Sequence, residues 1–232
     1  MNTKIFCDIA DLNLIKKFNT KNIVKGFTTN PSLMRNAGAK NYEDYSKKIL
    51  KVCKKKPISF EVFGDDFSAM KIQSLKITKW GKNVYVKIPV VNSKGIFMGK
   101  IIQFLNKKNI KINITAVYTA KQTAKILKVI NKNTQVLISI FAGRMGDVGK
   151  NPIPEIKKSI FLAKKFKNVK ILWASTREPY NFIEARKLNC DLITVPPNII
   201  EKIEKFGKSF EKLTIDTVKG FLSDSKKSKF HI

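Results

Sequence analysis

The chain has 232 residues, 43% of them hydrophobic, and its 46 lysines and arginines against 17 aspartates and glutamates give a formal net charge of +29. No apolar run of about 18 residues or more occurs, which excludes a membrane-spanning helix, and the N-terminal residues lack the charged-then-apolar pattern of a signal peptide. We therefore expect a cytoplasmic protein with no membrane partner and one substantial core.

The spacing of apolar residues predicts the elements of secondary structure. Short apolar runs predict strands over residues 4–8, 23–27, 58–62, 84–90, 110–116, 135–141, 169–174 and 192–195. Amphipathic stretches predict helices over residues 11–18, 42–52, 66–80, 94–107, 119–131, 154–166, 181–188, 198–206 and 210–223.

Apolar strands that alternate with helices in this way are typical of the α/β class. The repeat of roughly 20 to 35 residues favours a (β/α)8 TIM barrel, predicted as a single domain over residues 1–232 with extra C-terminal helices. About residues 207–232 form the predicted helical extension. A doubly wound open sheet is the alternative, but no G-x-G-x-x-G follows the first strand.

The cysteines and the single histidine limit the possible chemistry. Cys7, Cys53 and Cys190 are odd in number and widely spaced, which indicates a reducing compartment and no disulfide framework. The only histidine is His231, which excludes a Ser-His-Asp triad and a histidine-ligated zinc site. We predict no metal site.

The positive charge consists almost entirely of lysine, and the lysines are spread over every predicted helix. Nucleic-acid-binding proteins favour arginine forks and aromatic platforms instead. We interpret the lysines as solvating the helix faces and do not expect a nucleic-acid partner. A basic, polyanion-binding barrel without catalysis is the alternative.

Lys87 lies inside the apolar run 84–90, and Pro89 marks the end of that strand. Burial disfavours the charged ammonium, and a neutral lysine can attack a carbonyl carbon to form a Schiff base. The alternative is a lysine whose stem is buried and whose amine reaches water.

Active sites of such barrels lie at the carboxyl ends of the strands. There the sequence places a set of polar groups around Lys87, with one aromatic ring: Asp8, Thr29, Asn30, Glu61, Asn113, Thr115, Ser139, Phe141, Arg144, Ser175 and Arg177. We assign Lys87, Asp8, Glu61 and Thr115 to catalysis and the other eight to substrate binding.

Chemistry suggests roles for the charged members. Glu61 with Thr115 can move protons through a water molecule, and Asp8 can take the proton of a sugar hydroxyl when a carbon–carbon bond breaks. Arg144 and Arg177 can bind a terminal phosphate. The alternative for both arginines is pairing with carboxylates at the barrel rim.

Five segments resemble motifs of the transaldolase family, and they occur in order between Asp8 and Pro197. They are FTTNPS at 27–32, VKIP at 86–89, NITAVY at 113–118, SIFAGR at 139–144 and ASTR at 174–177. The length resembles the short subfamily that includes the fructose-6-phosphate aldolases. Ile140 and Thr176 depart mildly from the family pattern.

The resemblance implies a cofactor-free enzyme that transfers a dihydroxyacetone unit through a lysine Schiff base in the pentose phosphate pathway. The implied donors are sedoheptulose 7-phosphate or fructose 6-phosphate, and the acceptors are glyceraldehyde 3-phosphate or erythrose 4-phosphate. By the same resemblance Lys87 is the Schiff-base lysine, and Asn30, Asn113 and Ser139 hold the dihydroxyacetone hydroxyls.

Two positions distinguish branches of the family. The aldolase branch, which releases free dihydroxyacetone, carries tyrosine where Phe141 stands and glutamine where Glu61 stands. The sequence therefore resembles the transaldolase branch, with fructose-6-phosphate aldolase as the alternative.

The last predicted helix carries an apolar stripe that includes Leu213, Val218 and Phe221. Packing against its own barrel is one interpretation. The resemblance implies another, in which this helix reaches a neighbouring subunit of a homo-oligomer, a pentamer or decamer.

Overall fold

The computed structural model describes residues 3–229 and contains a closed barrel of eight parallel strands in chain order, with β8 paired to β1. The strands are β1 Lys4–Asp8, β2 Val24–Thr28, β3 Ile58–Glu61, β4 Val84–Pro89, β5 Ile112–Val117, β6 Val136–Phe141, β7 Val169–Ala174 and β8 Leu192–Val195. The prediction of a TIM barrel is confirmed.

Eleven helices lie within the described residues. They are α1 Leu12–Asn19, α2 Pro31–Asn36, α3 Tyr42–Val52, α4 Phe67–Ile77, α5 Gly99–Lys107, α6 Ala120–Leu127, α7 Ala142–Asp147, α8 Ile153–Ala163, α9 Tyr180–Lys187, α10 Pro197–Ile203 and α11 Phe210–Ser228. None of them is long and apolar enough to cross a bilayer.

Apart from shifts of a few residues at the ends of several elements, the structure differs from the predicted elements at three places. The helix predicted from residue 94 begins only at Gly99, because Val91 pairs with Phe97 around a turn in which Gly95 has a φ of +75°. The short helices α2 and α7 were not predicted. Each has only six residues, fewer than two turns, which is too few apolar positions for a helical period to be recognised.

The barrel interior is apolar at one end and polar at the other. An apolar layer fills the amino-terminal half: Phe6, Tyr85, Leu137, Leu172 and Leu192. Side chains on one face of a strand recur every second residue. Two residues further along the same strands, the inward positions are therefore Asp8, Lys87, Ser139, Ala174 and Thr194. This alternation places the polar groups together at the carboxyl mouth.

Helix α11 does not pack on its own barrel. Every residue from Glu204 to Lys229 is exposed, including Phe221 at 71% and Val218 at 59%. The interpretation that this helix buries its stripe against its own chain is therefore wrong. His231 lies outside the described residues, and the division at about residue 207 stays a prediction.

Candidate active site

A cavity of about 290 Å³ opens at the carboxyl ends of the strands. The predicted site residues that line it are Asp8, Asn30, Lys87, Asn113, Thr115, Ser139, Phe141, Arg144, Ser175 and Arg177. The other two predicted residues, Thr29 and Glu61, lie behind this lining and contact Lys87 from there.

Lys87 is only 7% exposed, so its amine does not reach bulk water. The Nζ atom lies 3.1 Å from Glu61 Oε2 and donates to the Thr29 carbonyl oxygen at 3.1 Å. Glu61, Lys87 and Asn113 are aligned across three adjacent strands. Both contacts are made to oxygen acceptors, which hold Nζ in place at the cavity wall. Glu61 is placed to take the amine's proton directly.

The side chain of Thr29 does not face the cavity. Its hydroxyl donates to the Ser59 carbonyl oxygen at 2.8 Å, and the residue is fully buried. Thr29 therefore contributes its backbone carbonyl to the site, through the bond to Lys87. Sequence alone cannot distinguish a side-chain from a backbone role at this position.

Asp8 accepts a hydrogen bond of 2.6 Å from the Thr28 hydroxyl, which also shares a hydrogen bond of 2.6 Å with Thr194. Burial raises the pKa of the Asp8 carboxyl, while Lys87 and the Thr28 hydrogen bond lower it by less. A raised pKa suits a carboxylate that must accept and return a proton.

Asn113 is held by side chains on both of its amide atoms. Its Nδ2 donates to Ser59 Oγ at 3.0 Å, and its Oδ1 accepts from Ser139 Oγ at 2.7 Å. This fixes the orientation of a fully buried amide beside Lys87. Asn30 caps α2 by accepting from the Leu33 N–H at 2.9 Å, which leaves its amide nitrogen for the cavity.

Thr115 presents a buried hydroxyl to the cavity. Within residues 3–229, its Oγ1 has no hydrogen-bond partner. A buried hydroxyl without a partner is costly, and a water or substrate oxygen at this point would remove the cost.

The two arginines at the cavity mouth differ in their partners. Arg177 pairs with Asp147, with Nε 3.0 Å from Oδ1 and Nη2 2.5 Å from Oδ2. This bond lowers the pKa of the Asp147 carboxyl. Arg144 lies over the Phe141 ring at 5.2 Å and forms no salt bridge within the described residues, although its charge helps to lower the pKa of Asp147. Pairing at the rim, the alternative for both, therefore occurs for Arg177.

The segments that carry these arginines touch through backbone. A Cβ atom at Gly143 would overlap the carbonyl oxygen of Ser175, so only glycine permits the approach. Ser175 itself has a φ of +62°, a left-handed conformation that costs energy for a residue with a side chain. A close packing of the β6 and β7 ends holds Arg144 and Arg177 at one side of the mouth.

Sequence reasoning missed Thr28, Thr194 and Asp147. The first two line the cavity from β2 and β8, and Thr28 lies opposite Asp8 in the register of β1 and β2, which the sequence does not show. Across the described ranges, no three His, Cys, Asp or Glu residues are grouped so as to hold a metal ion. That the reaction needs no cofactor stays a prediction.

The sequence profile of "Transaldolase/Fructose-6-phosphate aldolase" matches residues 5–232. The chain belongs to this family. As a family member it is an enzyme of the transaldolase and aldolase type.

Three relatives, each named "Probable transaldolase", match over nearly their whole lengths. The protein from Nitrosopumilus maritimus is 34% identical over 90% of this chain and 96% of its own. The protein from Caldicellulosiruptor saccharolyticus is 33% identical over 90% of this chain and 98% of its own. The protein from Methanococcus maripaludis is 31% identical over 95% of this chain and 96% of its own.

Solved structures support the same fold for this family member. A 3-hexulose-6-phosphate synthase from Salmonella typhimurium superposes with a TM-score of 0.57 over 84% of this chain and 89% of its own, at 12% identity. KGPDC from Streptococcus mutans gives a TM-score of 0.51 over 84% of this chain and 87% of its own, also at 12% identity. At such low identity these matches describe the barrel and not its chemistry.

Proposed function

We propose that this family member is a transaldolase that transfers a dihydroxyacetone unit between sugar phosphates of the pentose phosphate pathway. The observation that carries the proposal is a buried lysine amine, 3.1 Å from the Glu61 carboxylate, on a cavity that Asp8 also lines. A lysine held this way serves no evident packing purpose, and Schiff-base chemistry requires all three groups.

The first step forms the imine. Glu61 takes a proton from Lys87, and the neutral Nζ attacks the ketone carbon of fructose 6-phosphate or sedoheptulose 7-phosphate. The resulting carbinolamine then loses its hydroxyl as water. A water beside the unpartnered Thr115 hydroxyl can carry protons between Glu61 and that leaving hydroxyl.

The second step breaks the carbon–carbon bond. Asp8 removes the proton from the hydroxyl on the far carbon of the breaking bond, that carbon leaves as the aldehyde, and the bonding electrons move to the iminium to give an enamine. An acceptor aldehyde reverses these steps, and hydrolysis then frees Lys87. Asp8 suits this role because its raised pKa makes the protonated state accessible for the return of the proton.

The polar groups of the cavity divide into two binding regions. Asn30, Asn113 and Ser139 lie on the Lys87 side and can hold the hydroxyls of the transferred unit. Arg144 and Arg177 lie at the mouth and can hold the phosphate. The guanidinium group of Arg144 is available to bind phosphate. At Arg177, phosphate must compete with the Asp147 carboxylate.

Transfer, rather than release of free dihydroxyacetone, is the function that Phe141 favours. Its ring lines the cavity but has no hydroxyl that could deliver water or a proton to the enamine. The enamine is therefore protonated slowly and persists until an acceptor aldehyde binds. We expect dihydroxyacetone release from fructose 6-phosphate to be slow without acceptor. Phe141→Tyr should raise that release by roughly tenfold or more, measured in a coupled assay with and without erythrose 4-phosphate.

Phe67→Tyr is the matched control, since it adds the same hydroxyl on α4, outside the cavity lining. It should leave both rates unchanged. Rapid acceptor-free turnover by the unmodified enzyme would assign it instead to the fructose-6-phosphate aldolases.

We also propose that the enzyme is a homo-oligomer, a pentamer or decamer, joined through α11. This helix exposes an apolar stripe to water, including 71% of Phe221. Analytical ultracentrifugation should give a mass that is a multiple of the chain mass. Phe221→Asp should lower that oligomer mass. Ser223→Asp, on the opposite face of the helix, should not reduce it. A monomeric full chain would contradict the proposal.

A further inference from the structure

Tyr42 connects the outer ring of helices to the catalytic lysine's surroundings. It is the first residue of α3, and its ring is packed edge-on against Phe63 at 4.5 Å and tilted against Trp80 at 6.1 Å. These contacts direct the phenol between the carboxyl ends of β2 and β3, where it accepts a hydrogen bond of 2.9 Å from the Glu61 N–H.

That hydrogen bond replaces one of the backbone hydrogen bonds that would join β2 to β3. In the β2–β3 ladder, Phe27 N–H donates to the Pro57 carbonyl at 2.8 Å and Thr29 N–H donates to the Ser59 carbonyl at 3.2 Å. In a parallel ladder, the next bond would run from the Glu61 N–H to the Thr29 carbonyl. Tyr42 occupies that place instead, and the Thr29 carbonyl accepts from Lys87 Nζ at 3.1 Å.

We propose that Tyr42 is a positioning residue for the Schiff-base lysine, an inference that rests on the proposed function. By accepting from the Glu61 N–H, the phenol releases the Thr29 carbonyl to hold Lys87. The amine then lies between two oxygens, the Thr29 carbonyl and the Glu61 carboxylate. Two acceptors fix the direction from which Nζ meets a ketone carbon, whereas Glu61 alone would leave it free to swing.

The phenol is suited to this task because it stays neutral. Burial raises the pKa of Tyr42, so the group remains a hydroxyl whose oxygen accepts the Glu61 N–H across the working pH range. A phenylalanine ring would fill the same space between Phe63 and Trp80 but offers no acceptor. In Tyr42→Phe the Glu61 N–H would turn to the Thr29 carbonyl oxygen and compete with Lys87 Nζ for it, which weakens the hold on the amine.

Tyr45 provides a matched control on the same helix. Its hydroxyl bonds to the carbonyl oxygens of Ala10 and Ala37, each at 3.2 Å, and contacts neither Glu61 nor Lys87. Tyr45→Phe therefore removes the same atom from α3 without touching the lysine's acceptors.

The test is the time course of imine formation in the full-length enzyme. Samples mixed with fructose 6-phosphate are quenched with borohydride at short times, and intact mass gives the fraction that carries the reduced adduct. Tyr42→Phe should lower the rate constant of adduct formation by about tenfold or more. The final fraction of adduct in Tyr42→Phe should equal that of the unmodified enzyme. Tyr45→Phe should equal the unmodified enzyme in both the rate constant and the final fraction.

A purely structural role for Tyr42 predicts a different pattern, because partial unfolding lowers the final fraction of adduct and leaves the rate constant unchanged. Equal rate constants for Tyr42→Phe and Tyr45→Phe would therefore overturn the inference, even if both variants were less stable. An absence of adduct in the unmodified enzyme would instead overturn the proposed function, and the positioning role with it.

Discussion

Lys87→Met is expected to abolish turnover of fructose 6-phosphate with an acceptor aldehyde, by at least about 10⁴-fold in kcat/KM. Methionine has nearly the length of lysine and tolerates burial, but it has no nitrogen to form the imine. Without the covalent intermediate, the carbon–carbon bond has no electron sink near Asp8. The measurement is the coupled assay, together with loss of the borohydride adduct.

Lys170→Met serves as the control for removing a strand lysine. Lys170 lies on β7 and pairs with Asp191 at 3.0 Å, as Lys87 pairs with Glu61, but it is half-exposed and away from the site cavity. Its loss should leave kcat/KM unchanged. If folded Lys87→Met kept activity within about tenfold of the unmodified enzyme, Lys87 would not be the nucleophile.

Asp8→Asn is expected to separate the two steps of the reaction. The imine should still form, because Lys87 keeps both Glu61 and the Thr29 carbonyl. Bond cleavage should slow by about 10²- to 10⁴-fold, since an amide cannot take the proton of the substrate hydroxyl. Mass spectrometry after borohydride should find the whole hexose on Lys87, where the unmodified enzyme carries the three-carbon unit.

Asp11→Asn is the matched control, because Asp11 caps α1 through a bond to the Leu14 N–H that asparagine can also accept. It should leave both steps intact. Loss of imine formation in Asp8→Asn would move Asp8 from cleavage to an earlier step.

The same Asp8→Asn variant is expected to be more stable than the unmodified enzyme at neutral pH. Because burial raises the pKa of Asp8 in the folded state, the folded chain binds more protons than the unfolded one between the two pKa values. The protonated carboxyl's stabilising effect is fully present below the unfolded pKa and is lost as pH rises through the folded one. In denaturant unfolding, Asp8→Asn should therefore have a higher free energy of unfolding than the unmodified enzyme at pH 7. This difference should disappear near pH 3.

The barrel and the identity of most cavity residues could be predicted because both depend on local patterns. Apolar runs indicate the strands, and every second residue towards a strand's carboxyl end faces the barrel mouth. For this reason Asp8, Lys87, Asn113 and Ser139 all line the cavity as expected.

The details that decide proton positions could not be predicted, because they arise from tertiary contacts. The sequence does not indicate that Thr29 offers its carbonyl, that Asp147 occupies Arg177, or that Tyr42 on α3 takes a ladder bond of β3. Each contact joins residues separated by 19 to 58 positions.

The most direct test of the account is borohydride reduction of the full-length enzyme during turnover of fructose 6-phosphate, followed by peptide mapping. We predict one added three-carbon unit, attached at Lys87, that disappears when excess acceptor aldehyde is present. An unchanged mass, or an adduct on any of the surface lysines instead, would contradict it.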